Sequence, residues 1–276
     1  MVNEDEYVID SSRGSIFNFK ELWTYKELFY FYAWRDLKVK YKQTVLGVLW
    51  VVLQPLLMVL IFSLFFSRVM NVQHSDVPYP IFVFSGLLLW TFFSSSISAA
   101  GSSMISNSEV VKKIYFPRII IPVSSILVSS IDFIVAFVVF VLAFLYYGVH
   151  ADFLVLLGCW LVSIFLMFLS TLGISCWLSA LMVKYRDFRH VIPFGLQIGL
   201  FVSPVIYPNT FVGRDWLNYV IAMNTMYAPI TLFRTPFMND PLRIELILIS
   251  ISVMILLLLI GISYFKKTEA YFADIA

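Results

Sequence analysis

The sequence predicts an all-α integral membrane protein with six membrane-spanning helices. Apolar residues make up 61% of the 276 positions and charged residues only 13%, whereas a soluble domain usually carries about 25% charged residues. Roughly 20 apolar helical residues cross a hydrocarbon core of about 30 Å. Six continuous runs have about that length or more, at residues 45–67, 80–104, 119–147, 153–183, 190–208 and 246–265.

The basic residues predict how these spans are oriented. With the N-terminus placed in the cytoplasm, 15 of the 19 lysines and arginines fall on the cytoplasmic side. The exceptions are Arg68, Arg214, Arg234 and Arg243. Because cytoplasmic loops of membrane proteins carry an excess of Lys and Arg, both termini are predicted to be cytoplasmic.

The segment before the first run is predicted to have two parts. Residues 1–18 are polar and acidic, which indicates a mobile arm, whereas residues 19–44 indicate an amphipathic interface helix. In the latter, aromatic residues such as Tyr25 and Phe29 recur at helical spacing among basic residues. This pattern is typical of a helix that lies in the headgroup plane. A plain juxtamembrane basic segment is the alternative. Residues 45–276 then form the transmembrane domain.

The loop between the second and third runs predicts a short cytoplasmic helix. Ser106 and Glu109 have the spacing of a capping box, which starts a helix, and Pro117 ends or bends it. Its basic and aromatic residues favour a docking surface for a soluble partner. A helix that merely packs against the bundle is the alternative.

The segment after the fifth run predicts a pair of short helices that dip back into the outer leaflet. Two prolines interrupt residues 203–208, and the apolar stretches 216–223 and 226–237 are each too short to cross a bilayer. Such re-entrant segments are tolerated only where protein buries them or where they line a cavity. Between spans five and six, they are natural parts of a gate.

One acidic side chain lies well inside a predicted span. Asp132 is the only ionisable residue in such a position, and charges there are costly and usually functional. The alternative is a hydrogen bond to Ser or Thr on a neighbouring helix, without a role in transport. Both interpretations stay open.

Motifs for ATP hydrolysis or metal chemistry are not found in the sequence. There is no G-x-x-x-x-G-K-[ST] phosphate loop, and His74, His150 and His190 are scattered over different loops. A transporter built from this chain must therefore draw on a gradient or on a separate ATPase.

Four stretches carry a family resemblance. Residues 35–50, followed by Pro55, and then residues 109–118, 185–187 and 203–208 occur in the same order as in the permease subunit of polysaccharide-export ABC transporters. The sequence resembles that family over about residues 20–265. One departure is Asn224-Thr225, where the family often has Asn-Pro in the outer re-entrant segment.

The resemblance implies a homodimer of permeases with two ATPase subunits beneath it, in the bacterial inner membrane. It implies no cofactor in this chain, ATP and Mg on the partner, no nucleic acid, and a polysaccharide linked to undecaprenyl pyrophosphate as substrate. The implied ATPase-coupling residues are Glu109, Val110, Lys112, Lys113, Tyr115, Phe116, Pro117, Arg118, Tyr185, Arg186 and Asp187; those at the substrate entrance are Arg35, Lys38, Lys40, Lys42, Leu46 and Gly47; and those of the outer gate are Pro204, Tyr207, Pro208 and Asn224.

Three other functions are weighed against this one. A permease for a small lipid or drug would keep the architecture and change the cargo. A membrane glycosyl- or acyltransferase would need clustered acids or a His-Asp pair, and a pure interaction subunit would need large polar domains; the sequence shows neither. The 27 Phe, 15 Tyr and 7 Trp suit either a sugar-binding wall or interfacial belts.

Overall fold

The computed structural model describes residues 23–42, 47–66, 77–113, 116–208, 215–238 and 242–269. In these ranges every regular element is a helix, which confirms the all-α prediction. The predicted polar arm, Leu46 and Tyr115 lie outside the described residues. The helices are α1 (Lys26–Tyr41), α2 (Gly47–Phe66), α3 (Tyr79–Ser106), α4 (Ser108–Lys113), α5 (Ile120–Tyr146), α6 (Phe153–Lys184), α7 (Phe188–Val202), α8 (Asp215–Ala222), α9 (Tyr227–Arg234) and α10 (Ile244–Glu269).

Four helices are long and apolar enough to cross a membrane. These are α3, α5, α6 and α10, and they match the second, third, fourth and sixth predicted runs. Two shorter apolar helices, Leu49–Phe65 within α2 and Phe188–Val202, coincide with the first and fifth runs. The chain is thus a multi-pass membrane protein, and the count of six spans stays a prediction.

Helix α3 is the centre of the bundle. In its most apolar window 78% of the residues are buried, against 33% or fewer in the other three long helices. Its aromatic side chains meet rings from neighbouring helices, as in the edge-on pair of Phe84 and Phe140 with centroids 5.4 Å apart. Helices around α3 therefore bury one side against it and leave the other side apolar and exposed, as a bilayer requires.

Helices α6 and α10 approach each other at two glycines. A Cβ atom on Gly261 would overlap the carbonyl oxygen of Gly173, and a Cβ on Gly173 would lie 2.6 Å from the Cα of Leu258. Small residues at a helix interface let membrane helices approach closely and gain van der Waals contact. The two glycines thus hold α10 against the bundle.

Helix α1 packs its predicted aromatic face on protein. Tyr25 and Phe29 are partly buried and Tyr32 fully buried against a cluster that includes Phe116 and Ile120. Four other aromatic residues around the helix are exposed, namely Trp23, Tyr30, Phe31 and Trp34, while Tyr41 is half-buried. The helix spans Lys26–Tyr41 within the predicted residues 19–44, and its place in the headgroup plane stays a prediction.

The short helix predicted after α3 is present, but its predicted cap is wrong. Ser106 is the last residue of α3, and its hydroxyl donates to the carbonyl of Ser102 at 3.1 Å. The first turn of α4 instead uses the carbonyl of Asn107, which accepts from the backbone N–H groups of Val110 and Val111. The capping-box pattern failed because α3 continues to Ser106 with only one residue before α4.

The fifth apolar run does not form one helix. Helix α7 ends at Val202, six residues before the predicted end. The hydroxyl of Ser203 donates to the carbonyl of Gly199 at 2.7 Å, and Pro204 has no N–H with which to continue the ladder. The two short helices predicted after this run are present as α8 and α9.

Candidate functional site

A cavity of about 490 Å³ opens between α2, α3, α5 and α7. It extends over about 15 Å of α3, from Leu88 to Ser98. One residue of α1, Lys40, joins its wall. Helix α2 contributes Trp50, Val51, Gln54 and Pro55; α3 contributes Leu88, Trp90, Thr91, Phe92, Ser94, Ser95 and Ser98; α5 contributes Ser129, Asp132, Phe133 and Ala136; and α7 contributes Pro193, Leu196, Gln197 and Leu200.

The lining is mostly apolar, but it carries a strip of polar side chains on α2, α3 and α7. Thr91, Ser95 and Ser98 follow one face of α3, while Gln54 and Gln197 are exposed on α2 and α7. Hydroxyls such as that of Ser95 donate to backbone carbonyls of their own helix, at 3.1 Å to Phe92. A carboxamide facing hydrocarbon without partners costs several kcal/mol, about 2–7 by transfer. This face therefore suits a space that holds water or a polar ligand.

Aromatic rings border the polar strip. Trp50, Trp90, Phe92 and Phe133 line the cavity, and the indole of Trp90 lies over Gly199, where a Cβ atom would come within 2.8 Å of it. Flat apolar faces beside hydroxyls and amides match a sugar, which has apolar C–H faces and hydroxyl edges. The serines and glutamines were not predicted as site residues; hydroxyls spaced three and four residues apart in an apolar run were the available signal.

Asp132 lies in the cavity wall and is held by α1. Lys40 Nζ and the Tyr41 hydroxyl each donate to one oxygen of its carboxylate. Burial, and then the hydrogen bond to Asp132, raise the pKa of the Tyr41 phenol above its ordinary value, so Tyr41 stays protonated and remains a donor. The partners of Asp132 are therefore a lysine and a tyrosine of α1, not the Ser or Thr of a neighbouring span that one interpretation expected.

The other half of α1 is joined to the connection between α3 and α4. Arg35 Nη2 donates to Asn107 Oδ1 at 2.6 Å and to Asp36 Oδ1 at 2.6 Å. The rings of Tyr32 and Phe116 lie 5.8 Å apart. Since Ile120 and Asp132 are about 18 Å apart along α5, α1 runs beside α5 from the short helix to the cavity.

The described residues of the predicted substrate entrance do not form one cluster of unpaired cations. Lys38 and Lys42 are exposed near the end of α1, and Lys38 Nζ lies 5.9 Å from the ring centroid of Trp34. Gly47 begins α2 with a φ of +32°, a region that favours glycine. Of the four predicted cations, Arg35 and Lys40 already have carboxylate partners.

The predicted coupling segment divides into an exposed and a buried part. On α4, Glu109, Lys112 and Lys113 are exposed, Val110 is half-buried, and Val111 is buried beneath them. Phe116 is only 3% exposed, so it does not offer the accessible aromatic anchor that the sequence suggested. The sequence could not show this, because the residue that covers it, Tyr32, is distant in the chain.

The structure also shows where Arg118 and the loop at Tyr185–Asp187, two further parts of the predicted coupling surface, lie. Arg118, which follows Pro117, donates from its backbone N–H to Glu269 Oε1 at 2.8 Å and from its side chain to the Glu269 carbonyl. Tyr185, Arg186 and Asp187 are exposed between α6 and α7. The segment is thus tied to the end of α10, and both loops present exposed charges.

Helix α9 lies along one half of α6 and is anchored by hydrogen bonds. The hydroxyl of Ser163 donates to the Pro229 carbonyl at 2.6 Å, and Ser170 donates to Thr225 Oγ1 at 2.7 Å. Trp160 Nε1 donates to the Phe233 carbonyl at 3.1 Å. Trp160 and Ser170 are about 15 Å apart along α6. The turn before α9 therefore reaches far along the bundle, as a helix that dips back into it would.

The predicted gate residues meet in part. Asn224 Nδ2 donates to Ser203 Oγ at 2.7 Å, directly before Pro204. The hydroxyl of Tyr207 donates instead to the Val202 carbonyl at 2.9 Å, and Pro208 is half-buried at the end of the described range. Asn224 thus contacts the residue before Pro204, whereas Tyr207, which lies beyond α7, binds the last residue of that helix.

Arg234 is the residue of this region that sequence reasoning missed. It is 5% exposed, and its guanidinium carbon lies 3.8 Å from the ring centroid of Phe82. Nε donates to Ser85 Oγ at 2.9 Å, and Nη1 and Nη2 donate to the carbonyls of Pro204 and Val205 at 2.6 and 2.7 Å. Arg234 was counted only as an outer basic residue. Its position inside an apolar stretch was the signal.

Comparison with known proteins agrees with this architecture. Residues 27–238 match the model of the ABC-2 type transporter family. A Klebsiella pneumoniae protein described as an O-antigen export system permease is 32% identical over 241 residues, 87% of this chain and 92% of the relative. One from Myxococcus xanthus with the same description is 30% identical over 225 residues, 81% and 85% of the two chains.

A more distant relative is the polysialic acid transport protein of Escherichia coli, 21% identical over 194 residues, 68% of this chain and 72% of the relative. The family match over residues 27–238 includes nearly all of α1, the residues that line the cavity and the short helices α8 and α9. The long apolar helices, the family match over most of the chain and the length shared with these relatives lead to one assignment: the chain belongs to the ABC-2 type transporter family, as a membrane-spanning transport component.

Proposed function

We propose that this chain is the permease subunit of an ATP-driven exporter that moves a lipid-linked, O-antigen-like polysaccharide out of the cytoplasm. The names of the relatives support this cargo. The single observation that carries the proposal is the polar and aromatic cavity between α2, α3, α5 and α7. Its volume lies in the range of ligand pockets, about 300–1,000 Å³.

The cavity suits a chain that must slide. Hydroxyls and amides exchange hydrogen bonds with sugar hydroxyls, while the rings of Trp50 and Trp90 contact C–H faces without fixing the register. The polar side chains of Gln54, Ser98 and Gln197, set in an otherwise mostly apolar lining, offer hydrogen bonds that a glycan can use and an apolar drug or lipid cannot.

The transporter is proposed to be a homodimer in the inner membrane, with six spans in each copy and both termini cytoplasmic. In this arrangement a second copy would cover the faces of α2 and α7 that expose Gln54 and Gln197. Lipid contact would be unfavourable for these two groups. Two facing cavities would then give a path long enough for several sugars.

The basic end of α1 is proposed to receive the pyrophosphate headgroup. Arg35, Lys38 and Lys40 lie in the last two turns of α1, and Lys42 directly follows the helix. Each basic residue near an anionic surface contributes about 1 kcal/mol. Lys40 also lines the cavity. The headgroup would therefore bind beside the path that its sugar chain takes.

ATP hydrolysis is proposed to occur on two partner subunits, which bind ATP and Mg and dock on α4 and the loop at Tyr185–Asp187. Helix α4 is held firmly against the bundle, because its residue Val111 is buried and Arg35 binds Asn107, the residue before the helix. A displacement of α4 moves α3 directly. Arg118 joins the same segment to α5 and, through Glu269, to α10.

The docking surface gives the test. Reversing two exposed charges with Lys112→Glu and Lys113→Glu is expected to weaken copurification of the ATPase about tenfold, because like charges across an interface are repulsive. The permease should stay inserted, since both side chains are exposed. Lys267→Glu is the control, because Lys267 is exposed at the end of α10. Full ATPase recovery with the double variant would remove α4 from the docking surface.

A further inference from the structure

The ion pair between Lys40 and Asp132 occupies the cavity wall itself. Both residues line the cavity, and Lys40 Nζ donates to Asp132 Oδ2 while Tyr41 donates to Oδ1. Lys40 belongs to the last turn of α1 and Asp132 to the middle of α5. The pair therefore fastens the end of the interface helix to a wall of the proposed path.

The pair is accessible to a ligand. The side chain of Lys40 is 41% exposed and that of Asp132 is 20% exposed. A lysine ammonium has three donors and is a compact point charge, so a second anion can approach it while Asp132 is still bound. Because neither side chain is fully buried, an incoming anion can reach the ammonium and compete with Asp132 for it.

We propose that Asp132 is an internal counterion that the headgroup phosphate of the substrate displaces from Lys40. This rests on the proposed function and names how its binding site is regulated. In the empty protein, Asp132 neutralises Lys40 and holds α1 against the cavity. An anion with more than one negative charge, supported by exposed Lys38 and Lys42, competes successfully for the ammonium.

Displacement has two consequences for transport. It separates the end of α1 from α5, so that binding of the substrate changes the position of α1. The same helix contacts Asn107 and Phe116 through its other half. It also leaves the Asp132 carboxylate beside the bound headgroup, where its negative charge weakens the complex. Asp132 thus lowers affinity, which lets the headgroup leave once the cycle proceeds.

The test compares the two members of the pair in the full-length permease. Binding of farnesyl pyrophosphate would be measured in phosphatidylcholine nanodiscs for wild type, Lys40→Gln and Asp132→Asn. Removing the cation should weaken binding, and removing the competing carboxylate should strengthen it, each by about threefold to tenfold. The double variant should resemble Lys40→Gln. Asp132→Asn should also slow glycan export, because release is slower.

The proposal requires that Lys40→Gln and Asp132→Asn change the affinity in opposite directions. If both single variants weaken binding, or if neither changes it, the pair only supports the fold. Lys267→Gln removes an exposed lysine at the end of α10, away from the cavity, and is the control; its affinity should stay near that of wild type. Failure of the wild-type protein to bind farnesyl pyrophosphate would contradict the proposed headgroup site itself, which is a different result.

Two further measurements identify the source of the phosphate. Inorganic pyrophosphate should compete only weakly with farnesyl pyrophosphate, because the site is reached from the bilayer. Phosphatidylglycerol in the nanodiscs should lower all affinities and preserve the opposite signs of the two variants. Equal competition by inorganic pyrophosphate, or loss of the opposite signs in phosphatidylglycerol, would overturn recognition of a lipid-linked substrate by this pair.

Discussion

Replacing Arg234 with methionine is expected to lower the apparent melting temperature of the purified permease by roughly 10 °C, from a loss of about 2–5 kcal/mol. The guanidinium is buried, and it donates to Ser85 and to the carbonyls of Pro204 and Val205. Methionine fills a similar volume but leaves those carbonyls without this donor. Thermal unfolding in detergent and the amount of protein in the membrane measure the effect.

Two companion variants separate charge from geometry. Arg234→Lys keeps the charge but cannot reach the acceptors on α3 and in the turn after α7 together, because lysine lacks the planar fork, so it should remain strongly destabilised. Gly86→Ala places a Cβ atom against Arg234 Nη2 and 2.9 Å from the Val205 carbonyl oxygen, and should also lower stability. Arg243→Met changes an exposed arginine that, like Arg234, is predicted to lie on the outer side of the membrane. This variant should lower stability much less. A stable Arg234→Met protein would show that the hydrogen bonds do not hold this region together.

Filling the cavity with Ser98→Trp is expected to reduce glycan export at least about tenfold while the protein stays folded. Ser98 is exposed and lines the cavity, so an indole can be placed there without displacing the core. A large side chain removes a substantial part of a volume of about 490 Å³. Export would be measured as polysaccharide reaching the outside of the inner membrane at equal permease level.

The matched control is a serine that is exposed but does not line the cavity. Ser252→Trp on α10 makes the same change of side chain at a position of that kind, and it should leave export near wild type. Ser98→Ala, which removes only a hydroxyl, should also export well. Normal export by Ser98→Trp would place the path elsewhere.

Local patterns in the sequence predicted the parts of the fold that depend on neighbouring residues. The apolar runs, the short helix before Pro117 and the two short helices around Asn224 all follow from composition, length and helix breakers. These are present as the four long helices, the two shorter apolar helices, α4, α8 and α9. The predicted ends of these helices were less accurate; for example, the first turn of α4 begins at Asn107 and not at Ser106.

Contacts between distant parts of the chain could not be predicted in this way. Asp132 was recognised as exceptional, but its partners Lys40 and Tyr41 lie more than 90 positions earlier. Phe116 looked like an accessible aromatic anchor until Tyr32 was found against it. Arg234 was counted with the outer basic residues, and only the folded chain shows the carbonyls that it binds.

Translocation in a purified system tests the central claim most directly. The permease and the ATPase that copurifies with it would be placed in proteoliposomes with polyprenyl-pyrophosphate-linked glycan added on the ATPase side. We expect the glycan to become accessible to an enclosed glycosidase only with ATP and Mg, and Ser98→Trp to abolish this transfer. Transfer of a free lipid or a small drug without any transfer of glycan, or transfer of glycan without ATP, would contradict the account.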